Sequence, residues 1–330
     1  MSKEVSLSLK GVAILLMLYY HLFNEVGLCE MTNSDIYVMG LPLIYVLARL
    51  THPVEMFVIL SGYGLYYVMQ NRKYNVLKKV KSLYLHYWLS LLVFIPVGAL
   101  VVGNDIYPGS WERVVTNITG WYTNWNGTMW FLFPYALLAL TSPYIFRVMD
   151  KINPYLYICA TFVISIGGQF LVSRFGGSFL YECQIVHMPI IYFNLLFSFS
   201  LGALLVKYNI VSRIKINGWI CWALIILLSI VRCTMSTGAF HSIYSLALIL
   251  LYAKAIRPGI MDKFLQEMGK RSTSMWFAHA YFCYYYCKDF IYSFKNPLII
   301  FLVLLALSYV SAIILDLLNK YLQKSIDKSL

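Results

Sequence analysis

The chain has 330 residues, of which 60% are hydrophobic and 12% charged, with a mean hydropathy of +0.69. A soluble domain averages roughly half apolar and a quarter charged residues, so this composition excludes an ordinary soluble globular protein. The net charge of +12 does not mark a nucleic-acid partner, because the cations fall in short clusters between apolar runs, as the positive-inside rule produces.

Apolar runs of about 20 residues fit helical spans, and the alternation of barrel strands is absent. The expected fold is an all-α polytopic transmembrane bundle of about ten spans. In chain order these are 10–29, 53–70, 82–102, 128–146, 153–172, 188–206, 217–235, 241–256, 272–292 and 297–318. The run 36–50 is apolar but short, which predicts an interfacial or re-entrant helix. The first run is long enough to span and has no small-residue cleavage site after it, so no cleavable signal is expected.

Residues 103–126 read as an outer loop with an aromatic belt, and 173–187, with Glu182 and His187, as a second outer loop. Arg49, Arg113, Arg174, Arg232, Lys288 and Lys295 fall on the outer side and every other Lys and Arg on the inner side. That asymmetry places both termini in the cytoplasm. With no linker and no internal repeat, residues 1–330 are expected to form a single domain.

Asn117-Ile-Thr and Asn126-Gly-Thr fit the glycosylation pattern, which has meaning only in a eukaryotic secretory pathway. The seven cysteines lack metal-binding spacing, and no metal is expected. Cys283 and Cys287 read as packing residues. One disulfide could form among Cys29, Cys183 and Cys233.

Chemistry concentrates in Lys10 to Glu25, KGVAILLMLYYHLFNE. His21 follows Lys10 by about three helical turns, so both side chains share a face, about 16 Å apart along the axis. A histidine within the membrane is costly to keep without a partner or a task. A carboxylate beside it would fix its tautomer and help it act as a general base. Glu55, at the outer start of the second span, and Glu25, one turn from His21, compete for that place. The plainer reading is a histidine bonded to a neighbouring helix.

Ser61, Gly62, Tyr63 and Gly64 put small residues inside the second span, either for helix packing or for close approach of a ligand. His279 lies about two turns into the ninth span, as a packing residue or a site residue. Trp130 begins the fourth span, a usual place for an interface anchor. Arg72, Lys73, Lys78, Lys79 and Lys81 form a basic inner loop, either simply solvated or able to receive an anion such as a nucleotide phosphate.

Five segments, in order, resemble the membrane acyltransferase-3 family. They are KGVAILLMLYYH, with ten residues between cation and histidine, VEMFVILSGYGL, KKVKSLYLHYW, TMWFL and GKRSTSMWFAH. Together they run from residue 10 to 279. The departures from the family pattern are Lys10 for the usual Arg, Glu55 where Asp is common, His86 where Pro is frequent, and Thr273 and Trp276 in place of tyrosines. Lysine keeps the charge but loses bidentate phosphate binding.

The resemblance implies O-acylation of a sugar hydroxyl, usually with acetyl from cytoplasmic acetyl-CoA as donor substrate, with no permanently bound cofactor. The acceptor it implies is a cell-envelope glycan or lipid-linked sugar, and the location a bacterial plasma membrane. Carried onto this chain, His21 and Glu55 are the expected catalytic pair. Lys10, Arg72, Lys73, Lys78, Lys79, Ser61, Gly62 and His279 are expected to face the donor, with Arg271 as a further cation. Glu25 and Trp130 are expected to face the acceptor. The bilayer, the acyl-CoA and the glycan are the expected partners, and a homo-oligomer is left open. Rival readings are a flippase or transporter of lipid-linked glycan and a non-catalytic subunit of a polysaccharide-synthesis complex.

Overall fold

A computed structural model describes residues 1–71, 75–177, 181, 183–233 and 238–329. Arg72, Lys73 and Glu182 lie outside the described residues.

The order of elements is α1 (Lys3–Phe23), α2 (Val26–Glu30), β1 (Tyr37–Val38), β2 (Leu41–Pro42), α3 (Leu43–Arg49), α4 (Pro53–Asn71), α5 (Val76–Val101) and α6 (Trp111–Thr119). A 3-10 turn at Gly127–Phe131 leads into α7 (Leu132–Lys151), α8 (Pro154–Phe175), α9 (Gln184–Lys207), α10 (Ile210–Arg213), α11 (Gly218–Cys233) and α12 (His241–Lys254). α13 (Gly259–Ala280) continues into a π-helical segment, Tyr281–Tyr286, before α14 (Lys288–Ser293) and α15 (Pro297–Ser329).

The protein is a polytopic helical membrane protein. Among the described residues, seven helical stretches are long and apolar enough to cross a bilayer: Lys3–Phe23, Leu43–Asn71, Val76–Val101, Gly127–Lys151, Pro154–Phe175, Gln184–Lys207 and Pro297–Lys324. Their outward faces are apolar, as at Leu92, Leu100, Val163 and Leu302, which suits contact with lipid chains.

Several boundaries depart from the hydropathy reading. The first helix covers Lys3–Phe23 rather than 10–29, because its polar first turns are helical too and the chain breaks at Asn24. The 36–50 run divides into a two-stranded antiparallel hairpin and the short helix α3. The 217–235 and 241–256 runs form helices of 16 and 14 residues. The 272–292 run is interrupted by the π-helical segment, a change of backbone winding that hydropathy does not register.

The chain forms two compact units, each assembled from separated segments. The first comprises Met1–Leu9, His52–Val80 and Phe131–Asp262. Its centre is the pairing of α4 with α9. Gly62 meets the main chain at Phe199, and Gly202 meets the main chain at Ile59. A side chain at either position would strike backbone, so only glycine lets these helices approach so closely. Phe146 of α7 stacks on Phe199, 5.6 Å between centroids. At one end of these helices, Asp150 accepts a hydrogen bond from Tyr66 at 2.9 Å and pairs with Lys207 at 3.0 Å.

The second unit comprises Lys10–Thr51, Lys81–Trp130 and Lys263–Leu330. Ala13, Ile14, Met17, Leu18 and Leu22 of α1 are buried at helical spacing. Gly11 lies against the main chain of Leu265 in α13. The segment between α5 and the 3-10 turn is folded on itself. Asn117 donates to the Arg113 carbonyl at 2.8 Å and to Asn124 at 2.7 Å, and accepts from the Trp125 amide at 3.0 Å. Asn117 and Asn126 are each 1% exposed, so both glycosylation-pattern asparagines serve the fold and are closed to a glycan. All seven cysteines are free thiols, which overturns the disulfide considered from the sequence.

Candidate functional site

The site grows from α1. Lys10, Ile14, Met17 and His21 fall on one stripe of that helix, because steps of three and four residues return to the same face. Burial of Ile14 and Met17 fixes the rotation of the stripe, so His21 is held inward and half-buried.

Two side chains from the other end of the second unit meet His21. The hydroxyl of Tyr284 lies 3.1 Å from His21 Nδ1. The ring of His279 stands alongside, with centroids 5.0 Å apart and planes tilted by 42°. His279 is fully buried. Its Nδ1 is 2.8 Å from the Trp276 carbonyl and 3.2 Å from the Met275 carbonyl. Carbonyl oxygens only accept, so Nδ1 carries the proton and Nε2 of the neutral ring keeps its lone pair. That Nε2 is buried and has no hydrogen-bond partner.

The π-helical segment explains how Tyr284 arrives there. A π turn holds more residues than an α turn, so successive side chains fan out differently. Tyr284 reaches His21, Tyr285 accepts from the Gly127 amide at 2.9 Å, and Tyr286 donates to the Phe94 carbonyl at 2.7 Å. Further along, Tyr292 donates to the Leu22 carbonyl at 2.6 Å, which anchors the main chain next to His21. The 3-10 turn is tied to α13 by Trp276, whose indole donates to the Thr128 carbonyl at 3.2 Å, and by Asn126, which donates to the Phe277 carbonyl at 3.4 Å. Trp130, half-buried, belongs to that tied turn.

The other residues expected from the sequence are placed as follows. Glu25 is exposed just before α2, within electrostatic reach of Tyr284. Lys10 is half-buried in α1 and belongs to the second unit, with His21. Lys78 and Lys79 are exposed in the first turn of α5. Ser61 is half-buried and Gly62 buried within α4, and the close face of Gly62 is taken up by α9.

Glu55 stands in the first turn of α4 in the first unit. It is within electrostatic reach of Arg232, a buried guanidinium that donates to His52 Nε2 at 3.3 Å and lies 2.8 Å from His241 Nε2. The two imidazoles stack at 3.8 Å. Hydropathy gave no hint of this cluster, because its members come from three separate helix ends.

Arg271 belongs to a network of α13. Its guanidinium bonds Glu267 at 2.9 Å and Asp316 at 2.9 Å. Asp316 also accepts from Ser274, whose hydroxyl is 3.0 Å from His86 Nε2. Ser274 sits between His86 and the carboxylate, so the order is not that of a nucleophilic triad, in which the histidine stands in the middle. This network joins α5, α13 and α15 instead.

An imidazole bonded to a phenol, beside a second imidazole with an unpartnered acceptor nitrogen, has the groups that proton transfer requires. The class is a polytopic helical membrane protein with a histidine pair inside one of its units. The chain belongs to the Acyl_transf_3 acyltransferase domain family, whose model matches residues 8–317. It is a multi-pass membrane O-acyltransferase. No curated protein matches the chain. No solved structure matches it.

Proposed function

We propose that this protein moves an acyl group, acetyl from acetyl-CoA, to a hydroxyl of a cell-envelope glycan or lipid-linked sugar in the bacterial plasma membrane. The observation that carries this reading is the environment of His21, half-buried and bonded to Tyr284 on a helix that also bears Lys10, in a member of an acyltransferase family.

In this reading His21 takes the proton of the attacking hydroxyl while the hydroxyl oxygen forms a bond to the thioester carbonyl carbon. The C–S bond then breaks, and the proton passes from His21 to the departing thiolate of coenzyme A. The thioester is already activated, so no covalent enzyme intermediate is required. Glu55, in the first turn of α4, is the second proposed catalytic residue. Lys10, with Arg72, Lys73, Lys78 and Lys79, supplies positive charge for the phosphates of the donor at the inner face. Ser61 and Gly62 are the proposed donor-side residues of α4, and Glu25 and Trp130 the proposed acceptor-side residues. The spacing of Lys10 and His21, about 16 Å along the helix, suits an extended thiol-bearing arm.

The test uses the purified full chain in lipid nanodiscs with radiolabelled acetyl-CoA and envelope glycans. His21→Ala should lower transfer by about 10²- to 10⁴-fold, the usual worth of a general base. Retained transfer in a correctly folded variant rejects the role.

A further inference from the structure

We infer that His279 Nε2 receives a hydrogen bond from the acceptor hydroxyl adjacent to the one acylated, so that the acceptor is a vicinal diol. The inference rests on the reading of His21 as base for a sugar hydroxyl.

The observation behind it is the state of His279. Two main-chain carbonyls hold its Nδ1 proton. The neutral ring therefore cannot turn into the other tautomer without setting a lone pair against those oxygens. Nε2 is consequently an acceptor, and it is completely buried without a partner. A buried acceptor left unpaired costs about 1–3 kcal/mol and calls for an occupant.

His21, 5.0 Å away ring to ring, has its Nδ1 engaged by Tyr284. When Nδ1 of His21 donates to the phenol oxygen, its Nε2 is also a lone pair. Each of the two neighbouring rings then carries one acceptor nitrogen. One hydroxyl has a single proton and satisfies only one of them. Two neighbouring hydroxyls satisfy both, one giving its proton to His21 in the reaction and the other keeping its proton while bonded to His279. A ring that is rigidly held then fixes which of the two is acylated. Only hydrogen bonds change at His279; the bonds formed and broken are those of acyl transfer at His21.

The probes are methyl pyranosides and their single-deoxy analogues, offered with acetyl-CoA to the full chain in nanodiscs. Removing the hydroxyl next to the acetylated position should lower kcat/KM for the glycoside about 10- to 100-fold. His279→Phe keeps a buried ring without the acceptor and should cost a similar factor. The two losses should not add. His279→Gln, whose carbonyl can reach as an acceptor, should restore part of the activity on the diol. Additive losses overturn the inference, as does a variant effect confined to KM for acetyl-CoA, which would place a donor amide at Nε2. Failure to acetylate any glycoside while His279→Phe still hydrolyses acetyl-CoA at the parent rate also counts against it. If His21→Ala keeps acetylating the same glycosides, the base reading fails, while the His279 cycle can still be read.

Discussion

The hydroxyl of Tyr284 and Nδ1 of His21 meet at 3.1 Å although 263 positions separate them in the chain. The phenol is the group that sets the orientation of this imidazole within its unit. Sequence patterns suggested only carboxylates for such a task. A phenol holds the ring without adding a charge, which costs less where water is scarce.

Tyr284→Phe removes that bond and leaves the ring packing. We expect kcat to fall about 10-fold with KM for acetyl-CoA unchanged and with the thermal unfolding temperature close to that of the parent. A rise in KM with kcat intact would show that the phenol serves ground-state binding instead.

Lys10→Glu reverses the charge near the start of the helix that carries His21. KM for acetyl-CoA should rise about 10-fold or more, with a smaller effect on kcat. Arg271→Gln is the contrasting variant, because its guanidinium already faces Glu267 and Asp316. It should lower thermal stability and leave KM for the donor alone. The opposite pattern would move the phosphate contact from Lys10 to Arg271.

Gly62→Val places a branched side chain against the main chain of α9. Overpacking of this kind costs about 1–3 kcal/mol or more, and reduced yield of folded protein in detergent is expected. Gly64→Ala is the internal control, since nothing lies within 4 Å of the added carbon. Equal stability of the two variants would mean that α4 and α9 do not touch at these glycines.

Glu267 gives a pH dependence of known sign. Burial pushes its carboxyl up, but hydrogen bonds and charge from Arg271 and Lys270 outweigh that, and the group is held below its ordinary value of 4.5. A depressed carboxylate stabilises the fold above 4.5 and loses that contribution as pH falls through the lower folded value. Thermal stability in detergent should therefore decline on acidification below 4.5. Glu267→Gln should flatten that decline and cost about 1 kcal/mol or less at neutral pH, as partly exposed ion pairs do. An unchanged slope in the variant would assign the acid sensitivity elsewhere.

By itself the sequence determined that this is an all-helical, multi-pass membrane protein, because composition and long apolar runs leave the backbone no other way to satisfy its hydrogen bonds in lipid. It also determined the Lys10-to-His21 stripe and the family, both carried by local spacing. Tertiary structure decided what local spacing cannot express. The π-helical winding of Tyr281–Tyr286 redirects Tyr284 onto His21. The carbonyls of Met275 and Trp276 fix the tautomer of His279. Three helix ends gather His52, Arg232 and His241 around one guanidinium, and main-chain approach of α9 gives Gly62 its packing role. Each of these depends on contacts between residues far apart in the chain, where neither hydropathy nor helical periodicity carries information.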